Sequence, residues 1–157
     1  MSPLAARLAE IQAAPDGDKV AAFFDYDGTL IEGFSVSAIY RDRIRRLDVG
    51  LAELAQTLLI ALRGVENEQD YAAVLEVTRP ALAGQTYDEM LAAGERLFKE
   101  QTSALLRPQM WQILRAHKEK GHRIVIASSA TRFQIAPIAR EIEADHALCT
   151  EAEVVDG

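Results

Sequence analysis

Cysteine is nearly absent from this sequence, and its scarcity excludes two kinds of stabilising site. Cys149 is the only cysteine among 157 residues, so the chain cannot form an intramolecular disulfide. A zinc site built from several cysteines is excluded for the same reason. Because such a shortage is typical of proteins in reducing compartments, we predict a cytoplasmic location.

Positive charge is also in short supply. The chain has 17 Lys and Arg residues against 24 Asp and Glu residues, which gives a net charge of −7. Proteins that bind nucleic acid are usually basic, so we predict no nucleic-acid partner. The balance still allows a local basic pocket for a phosphate group.

Long apolar runs are missing as well. The N-terminal residues lack the continuous apolar segment of a secretory signal. The longest apolar stretch, residues 51–62, contains Glu53 and Gln56 and is too short to span a membrane, so we predict no transmembrane segment. The hydrophobic content of 49% is enough for the core of one domain with a small insertion.

The most informative stretch joins an apolar run to a pair of acids. Residues 20–24 predict a buried strand, and Asp25, Asp27, Gly28 and Thr29 follow it. Ligands bind at the carboxyl ends of strands in an open parallel sheet, so both carboxylates stand where a fold can use them. Gly28 permits a sharp turn, and Thr29 adds a hydroxyl group to the same crevice.

Two other interpretations of this stretch compete with a ligand-binding site. Asp and Gly favour turns, so the acids could simply be solvated. A calcium-binding EF-hand loop would place its glycine at the sixth position and a Glu where Val36 stands, so its spacing does not fit. The apolar run in front of the acids favours a functional site.

Helical patterns dominate the flanking regions. Leu4, Leu8 and Ile11 predict an amphipathic helix near the N-terminus. Helices are predicted over residues 51–62 and 71–78 and after the capping box formed by Thr86 and Glu89. We assign residues 1–17 to an N-terminal helix and turn, 18–32 with 107–157 to an α/β core, and 33–106 to a helical insertion.

A regular alternation of helix and strand resumes at Pro108, which suits the first turn of a helix. That helix is expected to stop at Gly121. His117 lies on its apolar stripe and is expected to be packed, not catalytic. Strands are predicted over residues 123–127 and 146–150, with a helix over 133–142 between them.

Hydroxyl side chains follow the second of these strands. Ser128, Ser129 and Thr131 come directly after the apolar run. They could cap the next helix. Alternatively, Ser128 could bind a phosphate, with backbone N–H groups of Ser129 and Thr131 assisting.

A basic cluster early in the insertion consists of Arg41, Arg43, Arg45 and Arg46. It could form an anion clamp or contact anionic lipid head groups. Because neighbouring acids interrupt the cluster, we favour a solvated helix face.

The pattern Asp-x-Asp-Gly-Thr after an apolar strand resembles the first motif of the haloacid dehalogenase superfamily, and Ser128 resembles its second motif. The insertion looks like the helical cap of the phosphoserine-phosphatase-like branch, which covers the site and selects the substrate. Phe34 stands where phosphoserine phosphatases carry an acid that recognises the substrate's amino group, so the likeness does not extend to that position. The implied fold is α/β, with a Rossmann-like parallel sheet, incomplete at about three strands, and an inserted α-helical cap.

The resemblance also implies a role for each residue of the site. Asp25 would be the nucleophile, and Asp27 would be the general acid and base. Mg²⁺ would be held by Asp25 and by the backbone carbonyl of Asp27. The phosphate-binding residues would be Ser128, Ser129, Gly28 and Thr29. Two further family motifs, a Lys and a set of acids, are not found here, so the chain resembles the N-terminal part of such an enzyme.

We therefore predict a Mg²⁺-dependent phosphate monoester hydrolase that acts on a phosphorylated small molecule through an aspartyl-phosphate. The chain is also similar to the hydrolase domain that some actinobacterial proteins join to a phospholipid-synthesis acyltransferase, so a regulatory domain of such a protein is one alternative. A non-catalytic module that binds a phosphorylated ligand or a partner is another. The first strand is expected to keep one unpaired edge, which we predict pairs with another copy of the chain, is covered by the N-terminal segment, or causes aggregation.

Overall fold

A computed structural model describes residues 2–46, 49–50 and 84–154 of the chain. The helices and strands are α1 (Pro3–Ala13), β1 (Ala21–Phe24), α2 (Val36–Arg45), α3 (Tyr87–Glu100), α4 (Pro108–Glu119), β2 (Arg123–Thr131), α5 (Arg132–Glu141) and β3 (His146–Thr150). A short 3-10 helix, Thr102–Leu105, precedes α4. The helices predicted over 51–62 and 71–78 lie outside the described residues. Within those residues, no helix has the length and apolar character needed to cross a membrane.

The three strands form one parallel sheet in the order β1-β2-β3. Phe24 of β1 stands opposite Ile126 of β2, which stands opposite Ala147 of β3. Helix α4 leads into β2, and helix α5 connects β2 to β3. Parallel strands require such long connections. The predicted α/β class with a Rossmann-like parallel sheet is therefore confirmed.

One face of the sheet forms the core. Phe24 and Ile126 are 4% and 0% exposed, and they pack with Leu114 of α4 and Ile138 of α5. The opposite face is different, because Phe23 of β1 and Leu148 of β3, on the two outer strands of the sheet, are 65% and 59% exposed. Of the described residues, none pairs with the outer edge of β1.

Local signals set the helix starts, and two of them, at Pro108 and at Thr86 with Glu89, were predicted. The Ser2 hydroxyl accepts a hydrogen bond from the N–H of Ala5 at the start of α1, and Pro108 opens α4. Thr86 and Glu89 form the predicted capping box of α3. Such reciprocal bonds satisfy N–H groups that the first helical turn leaves unpaired.

The two ends of the predicted insertion, residues 33–106, lie next to each other. Ile31 and Leu106 form an isolated antiparallel pair, and the N–H of Glu32 donates to the carbonyl of Leu105 over 2.8 Å. Within the insertion, α3 packs against α5 of the core. The two ends of the insertion are thus held beside the end of β1.

Strand β2 is longer than the sequence predicts. Its apolar run ends at Ala127, but the strand continues to Thr131, which pairs with Thr150 after a shift in register. The Thr150 hydroxyl donates to the carbonyl of Ser129 over 2.7 Å. This contact keeps the polar end of β2 attached to β3, so the predicted strand end at residue 127 is wrong.

Asp42 of α2 pairs with two arginines, one of which belongs to the basic cluster. Asp42 accepts two hydrogen bonds from Arg96 of α3, at 2.8 and 2.9 Å, and also pairs with Arg46. Arg41 donates to the carbonyl of Ser37 in its own helix. These contacts favour the solvated-face interpretation of the cluster.

Candidate active site

The two acids after β1 lie on one wide turn. The carbonyl of Asp25 accepts from the N–H of Leu30 over 3.2 Å, and that of Tyr26 accepts from Ile31 over 3.1 Å. Tyr26 and Leu30 are 1% and 2% exposed, so they anchor the turn in the core. Asp25 stays exposed, and its Oδ1 accepts from the N–H of Tyr26 at 2.7 Å.

Gly28 makes the turn possible. Its φ of 73° lies in the left-handed region that glycine occupies at little cost. Its N–H donates to the carbonyl of Gly33 over 2.8 Å, which closes the loop behind the acids. Gly28 therefore contributes the shape of the turn, while the adjacent Thr29 is half-buried beside it.

The side chain of Asp27 is held by a residue that follows the turn. Its Oδ1 accepts from the N–H of Ser35 at 2.7 Å, and its Oδ2 accepts from the Ser35 hydroxyl at 3.1 Å. Burial raises the pKa of Asp27 above its usual 3.8, the two Ser35 bonds oppose that rise, and repulsion from Asp25 adds to it. The result is a carboxyl group that holds its proton more tightly than an exposed Asp does.

Ser128 lies at the same edge of the sheet as the acids. Phe24 of β1 is paired with Ile126 of β2. Asp25 comes one residue after Phe24 and Ser128 two residues after Ile126, so both lie toward the carboxyl ends of adjacent strands. The Ser128 hydroxyl accepts from the N–H of Ala130 at 3.3 Å. Its own proton remains available to a ligand oxygen.

Thr131 caps α5 instead of facing a ligand. Its N–H and its hydroxyl donate to the Oε1 of Gln134, at 2.9 and 2.8 Å. The expectation that the Thr131 N–H helps to bind a phosphate is therefore corrected. Ser129, by contrast, is exposed at the sheet edge.

Ser35 and Gln134, which were not predicted as site residues, connect the turn that carries Asp27 with the end of β2. The Nε2 of Gln134 donates to the hydroxyl of Ser35 over 2.7 Å, and Ser35 in turn holds Asp27. The Thr-x-x-Gln pattern at Thr131 is a recognisable capping signal that could have identified Gln134. Ser35 has no local signal, because its partner is eight residues earlier in the chain.

Hard oxygen ligands are the metal-binding groups that the site offers. The carboxylate of Asp25 is exposed, and carboxylate and carbonyl oxygens suit Mg²⁺. Across residues 2–46, 49–50 and 84–154, no three His, Cys, Asp or Glu side chains lie together as a possible metal site. The described residues therefore fit part of a magnesium site.

Comparison with known proteins agrees with this arrangement. Over 165 aligned residues, the chain is 30% identical to a protein of Mycobacterium leprae described as a hydrolase, covering 99% of this chain and 53% of that protein. It is also 30% identical to a Mycobacterium tuberculosis protein named as a phosphoserine phosphatase, covering 87% of this chain and 46% of that one. The chain thus spans about half the length of these curated relatives.

Structural likeness extends over most of the chain. A crystal structure of a protein of unknown function from Bordetella pertussis Tohama I matches with a TM-score of 0.68 and 25% identity, covering 88% of this chain and 62% of that one. The model of the haloacid dehalogenase-like hydrolases matches residues 22–157. That match includes all of β1 except its first residue, both acids and the Ser128 strand, and the chain belongs to the haloacid dehalogenase-like hydrolase family.

Proposed function

We propose that this chain carries the nucleophile and the general acid of a phosphatase that hydrolyses phosphate monoesters through an aspartyl-phosphate. The observation that carries the proposal is the pairing of an exposed Asp25 with a half-buried Asp27 that has a raised pKa. Two acids with different environments can serve as nucleophile and proton donor in one reaction. The relative named as a phosphoserine phosphatase supports the same reaction class.

In the first step, a carboxylate oxygen of Asp25 attacks the phosphorus atom of the substrate. The bond from phosphorus to the ester oxygen breaks, and Asp27 gives its proton to the departing oxygen. The products of this step are an alcohol and an aspartyl-phosphate. The hydroxyl of Ser128, with Thr29 and Ser129, would hold the phosphoryl oxygens.

In the second step, the ionised Asp27 takes a proton from a water molecule. The resulting hydroxide attacks phosphorus, and the bond between phosphorus and the Asp25 oxygen breaks. Inorganic phosphate leaves, Asp25 is an ionised carboxylate again, and Asp27 is protonated for the next cycle. Both steps use the same acid in opposite directions, as microscopic reversibility requires.

Dependence on Mg²⁺ is part of the proposal. When bound, the ion would offset the repulsion between the Asp25 carboxylate and the phosphate. Asp25 and the backbone carbonyl of Asp27 would be its ligands from this chain. We propose that another acid and a lysine, from outside the described residues, complete the site. The coverage of about half of each curated relative supports such a continuation.

The inserted residues 33–106 are proposed to act as a cap. Both ends of the insertion are held beside the acids, and α3 rests on α5. A cap in this position would exclude water from the phosphoryl group and select the substrate. Phe34, which is 65% exposed near the base of the insertion, would present an apolar surface to that substrate.

The variant Asp25→Asn tests the proposal in the complete protein. An amide is a far poorer nucleophile than a carboxylate, so release of inorganic phosphate should fall by about 10³-fold or more. The control is Asp18→Asn, which removes an exposed acid that pairs with Arg123 before β1 and should leave turnover unchanged. Wild-type turnover in Asp25→Asn would refute the proposed nucleophile.

A further inference from the structure

A series of hydrogen bonds connects the end of β2 and the start of α5 with Asp27. The N–H and hydroxyl of Thr131 donate to the Oε1 of Gln134, and the Nε2 of Gln134 donates to the Ser35 hydroxyl. The Ser35 hydroxyl and N–H then donate to the two oxygens of Asp27. Each of these hydrogen bonds is donated in the direction of the Asp27 carboxylate, so the bonds polarise one another in the same direction.

The common direction of these hydrogen bonds depends on an amide side chain at position 134. A capping box accepts either Glu or Gln, because both present an oxygen to the N-cap residue. Only Gln also carries an N–H group that can donate to Ser35. The Ser35 hydroxyl has a single proton, and the Gln134 donor on its oxygen directs that proton to Asp27.

Ser35 is buried and lies where its hydroxyl can donate to Asp27. It is 3% exposed and stands immediately before α2, yet its side chain makes no capping bond to that helix. Ser residues at such positions usually cap the helix they precede. Here the hydroxyl is used across the turn, on a carboxylate eight residues earlier.

We propose that Gln134 and Ser35 are positioning residues for Asp27, and that they align the general acid with the phosphate-binding end of β2. This inference rests on the proposed function for its kinetic consequence. Its structural content, a link from Gln134 through Ser35 to Asp27, stands on the contacts alone. The link couples the start of the inserted segment to the C-terminal part of β2, which carries Ser128.

The decisive variant is Gln134→Glu. The new carboxylate keeps the acceptors that cap α5, so the helix should persist. It cannot donate to Ser35 and offers a competing acceptor, so the Ser35 proton is drawn away from Asp27. A matched control is Glu89→Gln, which makes the reverse exchange in the capping box of α3, away from Asp27.

Amide hydrogen exchange provides a readout that needs no turnover. The Ser35 N–H is held by Asp27 in the native protein. In Gln134→Glu the hydroxyl bond from Ser35 to Asp27 is lost and the N–H bond alone holds the carboxylate, so exchange of this N–H should accelerate about ten-fold, the size expected for loss of one hydrogen bond. In Glu89→Gln it should not change. An unchanged Ser35 rate in Gln134→Glu would overturn the proposal.

Leaving-group dependence provides the kinetic readout in the complete protein. A nitrophenyl phosphate expels a stable phenolate and needs little help from an acid, whereas an alkyl phosphate needs protonation. Gln134→Glu should lower kcat about 10- to 100-fold for the alkyl ester, with much less effect on the nitrophenyl ester and on KM. Ser35→Ala should behave similarly, and Ser35→Thr, which keeps the hydroxyl, should restore much of the loss.

The outcomes separate this inference from the proposed function. Equal losses on both esters would give Gln134 a purely structural role and overturn the proposal. If the wild-type protein hydrolysed neither ester, the proposed function would fail, and the Ser35 exchange rates would still decide whether the link exists. A selective loss on the alkyl ester together with faster Ser35 exchange would establish it.

Discussion

At the level of single residues, hydrogen-bond partners decide which ring nitrogens of the pair His117 and His122 carry protons. His122 is 4% exposed, and its Nε2 lies 2.8 Å from the carbonyl of Pro15. A carbonyl only accepts, so Nε2 carries the proton and Nδ1 accepts from the Nδ1–H of His117, 2.8 Å away. His117 also packs edge-on against Phe24, which confirms the prediction that it is packed.

This pair should make stability depend on pH. Burial lowers the pKa of His117 below its usual 6.5, and the nearby His122 lowers it further. The unfolded chain therefore binds a proton first as the pH falls, so stability is full above 6.5 and declines from there toward the folded pKa. Urea unfolding between about pH 8 and pH 5 should show a shallower decline in His117→Gln than in the wild type.

The control for that experiment is His146→Gln, at the exposed start of β3. It changes the number of histidines without touching the pair, so its decline should match that of the wild type. Equal declines in His117→Gln and the wild type would contradict the assigned role of His117.

The site residues divide into those that a sequence can reveal and those that it cannot. Asp25 and Asp27 were predictable because a strand, two acids and a glycine occur in one short stretch. Ser35 and Gln134 were not selected, because their importance lies in a contact between residues 99 positions apart. Side-chain contacts of that kind depend on how the elements pack, which no local pattern encodes.

At the scale of secondary-structure elements, one glycine determines how the inserted segment meets the core. Gly94 lies within α3, and a Cβ atom there would overlap the carbonyl oxygen of Phe133 in α5. The rings of Tyr87 and Phe133 are in edge contact, with centroids 5.4 Å apart. An ion pair between Glu95 and Arg140 also joins the two helices.

Gly94→Ala should therefore be destabilising. In an ordinary helix interior this change would add about 1 kcal/mol of stability. Here the methyl group must push α3 away from α5, and such overpacking typically costs about 1–3 kcal/mol. Urea unfolding should show a lower free energy of unfolding for the variant.

Ala92→Gly, at an exposed position of the same helix, is the matched control. It should lose only the helix-propensity difference of about 1 kcal/mol. A gain of stability in Gly94→Ala would show that α3 and α5 are not packed as closely as described.

The elements themselves were largely predictable, because their signals are local. Apolar runs located β1 and β3, Pro108 opened α4, and a capping box opened α3. The end of β2 was missed because its continuation depends on Thr150 of β3. The polar sequence after Ala127 contains no strand signal of its own.

At the scale of the whole molecule, the sheet has an uncovered apolar surface. β1 has one strand neighbour among the described residues, and Phe23 and Leu148 are exposed on the same face. Exposed edges with apolar side chains favour pairing with another chain. The prediction of self-association through the unpaired edge of β1 therefore remains a prediction.

Sedimentation of the 157-residue chain tests that prediction. The weight-average mass should rise with concentration. Phe23→Ser should weaken association by about 10- to 100-fold, because burial of one Phe side chain is worth about 1.5–3 kcal/mol. Ile44→Ser, at an exposed position of α2, should have no such effect. A monodisperse monomer at all concentrations would refute self-association.

The central claim is that Asp25 becomes covalently phosphorylated. The most direct measurement is to quench the complete protein in acid during turnover of a phosphate monoester, reduce the acyl phosphate with borohydride, and locate the product by mass spectrometry. We expect residue 25 alone to be converted to homoserine, and Asp25→Asn to give no such product. Turnover with no modification at residue 25, or with modification of another acid, would contradict it.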